Sequence, residues 1–84
     1  MADHHEHAIA HAREGRWDQA HRLVQDHDDA LSCRIHACLH RIEGDSSNAR
    51  YWYGRAGAEV PEHGVEEELE RLATIAREAD PSGT

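Results

Sequence analysis

Two stretches of this sequence repeat one pattern of metal-ligating side chains. The pattern H-x-x-x-H-x-x-E occurs first as His7, His11 and Glu14 and then as His36, His40 and Glu43. Residues three and four apart share one face of an α-helix, so each trio groups two imidazoles and a carboxylate. This is a ligand set for Zn²⁺, Ni²⁺ or Fe²⁺. The sequence therefore offers two divalent-metal sites, with His4 as an additional ligand for the first.

The trios have a second interpretation, an internal hydrogen-bonded network, which the sequence favours over metal binding. On a helical wheel of residues 30–43, the second trio lies opposite the solvated arc of Arg34 and Arg41. Buried polar groups cost about 1–3 kcal/mol each when unpaired. We therefore expect both trios to turn inward against the second helix of their own unit. The partners expected for the second trio are Glu43 for His40, and Asn48, Tyr51, Tyr53 or backbone carbonyls for the other nitrogens.

An aromatic cluster, Tyr51-Trp52-Tyr53, lies between Arg50 and Arg55. Three consecutive helical residues span about 200°, so the three rings cannot all enter one core. We expect Tyr53 in the core, Trp52 against the fifth, C-terminal helix and Tyr51 at the surface. Packing is the favoured role, and the alternative is a binding patch of Tyr51, Trp52, Arg50 and Arg55 for a peptide or a second copy.

No motif for nucleophilic catalysis or phosphate binding is apparent. Cys33 and Cys38 diverge by about 140° on a helix, which disfavours a disulfide between them. They are interpreted as buried thiols of a reducing compartment. Neither is accompanied by an oxyanion-hole or glycine motif. The sequence therefore predicts a protein that is not an enzyme and needs no cofactor, unless a divalent metal binds to the trios.

The composition indicates one small acidic domain. The 84 residues carry 17 acidic side chains against nine basic ones, for a formal charge of −8. This balance argues against partners such as nucleic acid and anionic membranes. The nine histidines would bring the charge close to zero on acidification. No apolar stretch is long enough to span a membrane, and the start does not resemble a signal peptide, so a cytoplasmic location is expected.

An internal repeat organises the chain. Residues 7–15 and 36–44 share five of nine positions at an offset of 29 residues. Glycine ends the first helix of each copy, as expected at a helix C-terminus. We predict an all-α fold of two tandem antiparallel helical hairpins closed by a C-terminal helix. Unit one spans about residues 3–28, unit two about 30–57 and the capping helix about 65–79. The predicted helices are Asp3–Glu14, Trp17–His27, Ala30–Glu43 and Ser46–Ala56, with Asp45 or Ser46 as cap of the last.

These hairpins resemble tetratricopeptide repeats. The second unit matches that family's pattern of small residues and proline at Ala37, Gly44, Ala49, Ala56 and Pro61. The first matches at Ala8, Gly15 and Ala20, but has His27 where alanine is expected. The period of 29 is also shorter than the family's usual 34, and histidine replaces large apolar residues in both units.

The resemblance implies a non-catalytic protein–protein interaction module whose partner is another protein or a second copy in a homodimer. Two units plus a cap make a short solenoid, which favours self-association. Residues 36–57 are also similar to a segment of small uncharacterised bacterial proteins, which implies no activity. Binding of a divalent metal through the paired trios is the alternative function.

Overall fold

The computed structural model describes residues 4–79, which form five α-helices and no strands. The helices are α1 (His4–Arg13), α2 (Trp17–Val24), α3 (Ala30–Ile42), α4 (Ser46–Arg55) and α5 (Val65–Ala79). The predicted all-α class is confirmed. Asp3, at the predicted start of the first helix, and the C-terminal residues 80–84 lie outside the described residues.

The turns that follow α1 and α3 are built in the same way. Gly15 and Gly44 adopt left-handed backbone conformations, with φ of 81° and 86°. The next amide in each turn, that of Arg16 or Asp45, donates to a carbonyl five residues earlier at 2.8 Å. Glycine reaches this conformation without the steric cost of a Cβ atom, so it ends both helices at equivalent points. The second helix of each hairpin therefore begins at positions 29 residues apart.

Helix α2 is shorter than predicted and ends at Val24 rather than His27. The following segment contains three aspartates, which favour turns and helix N-termini over helix interiors. One of them, Asp29, caps α3 by accepting a hydrogen bond from the Ser32 amide at 3.0 Å. The chain thus leaves α2 early and begins α3 at a capped position.

Helix α3 is the centre of the fold because it packs against each of the other four helices. Helix α1 also packs on α2 and α5. A main apolar core joins α1, α2, α3 and α5, and a smaller one joins α3 to α4. The buried apolar residues of α3 are Cys33, Ile35, Ala37, Cys38 and Leu39. The position of α3 explains why polar residues on the same helix, including two histidines, are also buried.

The C-terminal helix α5 is attached through a buried carboxylate as well as through apolar contacts. Glu68 is completely buried, and His63 Nε2 donates to its Oε1 at 2.6 Å. Its Oε2 lies 3.4 Å from both the Arg34 guanidinium and the Tyr53 hydroxyl. These partners compensate the cost of burying the charge and join α5 to α3, α4 and the loop before α5. No helix within residues 4–79 is long and apolar enough to cross a membrane.

Candidate metal centre

Three histidines from two helices converge between α2 and α3. His21 lies on α2, and His36 and His40 lie one turn apart on α3. One ring nitrogen of each lies within 4.8 Å of the others. The Nε2 atoms of His21 and His36 are 3.0 Å apart, so one ring donates and the other accepts. We refer to His21, His36 and His40 as the three-histidine cluster.

Two tryptophans flank the cluster. Trp17 lies one turn before His21 and stacks on it with ring centroids 4.7 Å apart. Its indole N–H donates to the Leu39 carbonyl of α3 at 2.7 Å, which fixes α2 against α3. On the other side, Trp52 of α4 stacks on His36 with centroids 3.9 Å apart. The rings of the cluster are therefore held by packing from both neighbouring helices.

Burial lowers the pKa of two of the three imidazoles, His36 and His21. His36 is 4% exposed and His40 is 8% exposed, whereas His21 is half-buried. Burial, with the nearby His21 and His40, lowers the pKa of His36 to about 4. Burial and the proximity of His40 also lower the pKa of His21, against the opposing effect of Glu43 and Asp18. Neutral imidazole is the form that binds metal ions.

Glu43 contacts the cluster from outside. Its Oε1 lies 2.6 Å from Nδ1 of His40, which confirms the predicted pairing of these two residues. In a neutral imidazole, a carboxylate on Nδ1 selects the tautomer that carries its proton on Nδ1 and its lone pair on Nε2. Glu43 therefore orients His40 from outside the three-histidine cluster, and it also lies with His40 and Asp45 in another group of potential ligands.

The first trio is not arranged like the second. His7 and Glu14 are exposed, and Glu14 pairs with Arg16. Arg16 Nε also donates to His11 Nδ1 at 2.9 Å. Within residues 4–79, His7, His11 and Glu14 belong to no group of three potential ligands within 4.8 Å of one another. The expectation that both trios turn inward is wrong for the first unit.

The expected partners of the second trio also need correction. His36 pairs with His21 of the preceding hairpin instead of with Asn48, Tyr51 or Tyr53. His21 was missed by the sequence analysis because it lies outside both trios and has no counterpart in the repeat. The available signal is its spacing of four residues from Trp17, which places both rings on one face of α2.

A second group of potential ligands lies near the start of α1. It consists of His4, His5 and Asp29, and His5 Nε2 donates to Asp29 at 2.8 Å. Burial raises the pKa of Asp29, but hydrogen bonds from Ser32 and His5 outweigh this effect and lower it to about 2. This carboxylate already caps α3, and it is more exposed than the three-histidine cluster. The group therefore has a structural role without a metal.

The aromatic segment of α4 is divided between core and surface. Tyr53 is buried, as expected. Trp52 packs on His36 rather than against α5, and the Arg55 guanidinium lies 5.0 Å from the Trp52 ring centroid. Tyr51 is 55% exposed, and Arg50 is also exposed. Tyr51, Arg50 and Arg55 thus form the exposed part of the predicted patch, and Trp52 contributes from beneath them.

The two cysteines are free buried thiols. Burial raises the pKa of Cys38 to about 12, so its thiol stays protonated at neutral pH. Burial also raises the pKa of Cys33. A protonated thiol is a poor nucleophile and a poor metal ligand.

No protein-family model, curated protein or solved structure is significantly similar to this chain. The proposals below therefore depend on the geometry of the described residues alone.

Proposed function

We propose that the protein binds one divalent transition-metal ion, Zn²⁺ in the first instance, through the three-histidine cluster. The observation that carries the proposal is the convergence of three ring nitrogens from α2 and α3 within 4.8 Å. Two nitrogen ligands of a tetrahedral zinc ion lie about 3.3 Å apart. The Nε2 atoms of His21 and His36 are already 3.0 Å apart. Small ring rotations, with His40 turning toward them, would complete the set.

The chemistry of the donors supports a transition metal. Neutral imidazoles suit Zn²⁺, Cu²⁺, Ni²⁺ and Fe²⁺, whereas Mg²⁺ and Ca²⁺ prefer oxygen ligands. The lowered pKa of His36, about 4, keeps that ligand unprotonated well below neutral pH. Glu43 supplies the outer-shell carboxylate that often accompanies a metal-bound histidine.

A purely structural network fits these residues less well. In such a network we expect buried nitrogens to be paired, because each unpaired one costs about 1–3 kcal/mol. Among residues 4–79, a single hydrogen bond joins two rings of the cluster, that between His21 and His36, whereas His40 bonds outward to Glu43. A shared metal ion gives the three rings a common partner.

Calorimetric titration of chelator-stripped protein with Zn²⁺ tests the proposal. We expect one ion to bind per chain. At a free Zn²⁺ concentration about 100 times the Kd, mass action adds about 2.7 kcal/mol to the free energy of unfolding. For a domain of this size, that gain raises the Tm by on the order of 10 °C. The absence of binding in the wild-type chain would contradict the proposal.

Two variants locate the site. His21→Gln removes a half-buried ligand from α2 and should weaken binding by more than about tenfold, the loss typical even of an outer-shell change. The matched control is the double variant His7→Gln/His11→Gln, which removes the same H-x-x-x-H pattern from the exposed face of α1. It should bind as the wild type does. Loss of binding in the control alone would place the metal at the start of the chain and overturn the assignment.

We infer a second function from the exposed aromatic patch, an interaction with another protein or with a second copy. Tyr51 is 55% exposed and lies beside Arg55, an arrangement common in protein interfaces. Sedimentation of the wild type and of Tyr51→Ala tests self-association. A folded Tyr51→Ala variant that associates as the wild type does would remove this patch from consideration.

A further inference from the structure

We propose that the metal ion held by the three-histidine cluster keeps one coordination position for water, and that a small anion can replace this water. The inference rests on the proposed metal binding and concerns the coordination shell of the bound ion. The fourth ligand of the ion would then be water or a small monodentate anion such as azide. The exchange is a simple ligand substitution, in which the water leaves as the anion binds.

The first argument is the number of donors. The group that contains His21 has three members, and within residues 4–79 no further histidine, cysteine, aspartate or glutamate joins it at 4.8 Å. Zinc in proteins is almost always four-coordinate in structural sites, whereas sites with three protein ligands hold water in the fourth position. A closed structural site would need a fourth side chain that the described residues do not supply.

Two carboxylates close to His40, those of Glu43 and Asp45, are already engaged. Glu43 bonds to Nδ1 of His40, and the two nitrogens of an imidazole point away from each other. When Nε2 of His40 binds the ion, Glu43 therefore lies on the far side of the ring. Asp45 caps α4 through hydrogen bonds from the backbone and side-chain nitrogens of Asn48, at 3.2 and 2.8 Å. Neither carboxylate can close the coordination shell without giving up the bond that it makes.

Solvent can reach the cluster on one side. His36 and His40 are buried, whereas His21 and its stacking partner Trp17 are half-buried. The accessible side of the cluster therefore lies at α2. Three neutral imidazoles do not offset the positive charge of a divalent ion. The bound ion would therefore attract anions. The same charge lowers the pKa of zinc-bound water to about 7 in sites with three histidines.

The test uses Co²⁺ in the whole 84-residue chain. The visible absorption of Co²⁺ depends on its coordination, whereas Zn²⁺ has no visible bands. We expect the intense bands of four-coordinate cobalt at one equivalent, and we expect azide to change them in a saturable way. The double variant His7→Gln/His11→Gln should respond identically. Cobalt that binds stoichiometrically but gives bands unaffected by azide would overturn this inference and leave metal binding intact. Failure of cobalt and zinc to bind at all would instead overturn the proposed function.

Glu43→Gln identifies what occupies the fourth position. If water occupies it, Glu43→Gln binds cobalt more weakly because it loses the outer-shell carboxylate, but at saturating cobalt its bands are four-coordinate and azide still changes them. If Glu43 moves onto the metal, azide changes the bands only in the variant. That second outcome would overturn the inference, because the wild-type site would then be closed by its own carboxylate.

Discussion

The two hairpins of this protein have the same turn and nearly the same helix boundaries, yet they treat the same polar trio in opposite ways. In α3, His36 and His40 are buried between α2 and the stacked Trp52 of α4. In α1, His7 at the equivalent position is exposed, and His11 bonds to Arg16 at the surface. A repeated local sequence therefore fixes the turn but not the environment of the side chains.

The difference comes from the neighbours of each helix. The face of α3 that carries the histidines is covered by α2 of the preceding hairpin, which brings in His21 and Trp17. No helix within residues 4–79 precedes α1, so its equivalent face lacks this cover. The three-histidine cluster is thus a product of the contact between hairpins, because His21 of the first hairpin joins a pair of histidines from the second.

The largest effect should come from Glu68, which attaches α5 to the second hairpin. Replacing it with alanine leaves the partly buried Arg34 and His63 without their carboxylate partner. Removing one member of a buried ion pair typically costs about 3–5 kcal/mol. Glu14→Ala removes an exposed ion pair from the first hairpin and should change the free energy of unfolding by less than about 1 kcal/mol.

Urea denaturation followed by circular dichroism measures both variants. Glu68→Gln, which keeps the shape and part of the hydrogen bonding, should fall between Glu68→Ala and the wild type. Equal and small losses for Glu68→Ala and Glu14→Ala would show that the buried network does not anchor α5.

The next effect is a dependence of stability on pH that centres on His36 of the second hairpin, with a contribution in the same direction from His21 of α2. The pKa of His36 is about 4 in the folded chain and near its ordinary 6.5 when unfolded. As the pH falls, His36 therefore takes up a proton in the unfolded chain before it does so in the folded chain. The free energy of unfolding therefore has its full value above about pH 6.5. It decreases as the pH falls toward 4, by on the order of 2 kcal/mol in metal-free protein.

His36→Gln should flatten this slope, whereas His7→Gln should leave it unchanged. Free energies of unfolding from urea melts between pH 7.5 and 4.5, with chelator present, provide the comparison. An equal slope in the wild type and in His36→Gln would mean that another group controls the acid sensitivity.

Much of the fold could be predicted because its signals are local. Gly15 and Gly44 mark the ends of α1 and α3, and the offset of 29 residues relates the starts of α2 and α4. The helical spacing of Leu31, Ile35, Cys38, Leu39 and Ile42 predicts the apolar face of α3. Ile35, Cys38 and Leu39 are buried, whereas Ile42 at the end of the helix is 41% exposed. Each of these inferences needs only the backbone preferences of one residue type or the periodicity of one helix.

The missing parts of the site depend on contacts between elements. His21 could not be found from the repeat, because its contact with His36 arises from the packing of α2 on α3. Glu68 follows two other glutamates at the start of α5, where acidic residues suit the helix dipole and are usually solvated. Its burial becomes evident only when α5 is placed against Arg34 and Tyr53.

The smallest effect concerns the N-cap residue of the second helix in each hairpin. A side-chain cap is present in the second hairpin and absent from the first. Asp45 and Arg16 occupy equivalent positions with similar backbone angles, φ −97° and ψ 85° against φ −94° and ψ 70°. Asp45 accepts a hydrogen bond from the Asn48 amide, whereas Arg16 makes no side-chain cap to α2. The first hairpin therefore lacks a stabilising contact that its backbone is already shaped to accept.

Asp45→Ala should lower the Tm by a few degrees, and Arg16→Asn should raise it relative to Arg16→Ala by a similar or smaller amount. The comparison with alanine separates the new cap from the loss of the contacts that Arg16 makes with Glu14 and His11. Thermal melts of the four proteins, including the wild type, give the result. If Arg16→Asn is no more stable than Arg16→Ala, the two turns are less alike than their backbone angles indicate. The two hairpins would then differ in the turns themselves, and not only in the helices that pack around them.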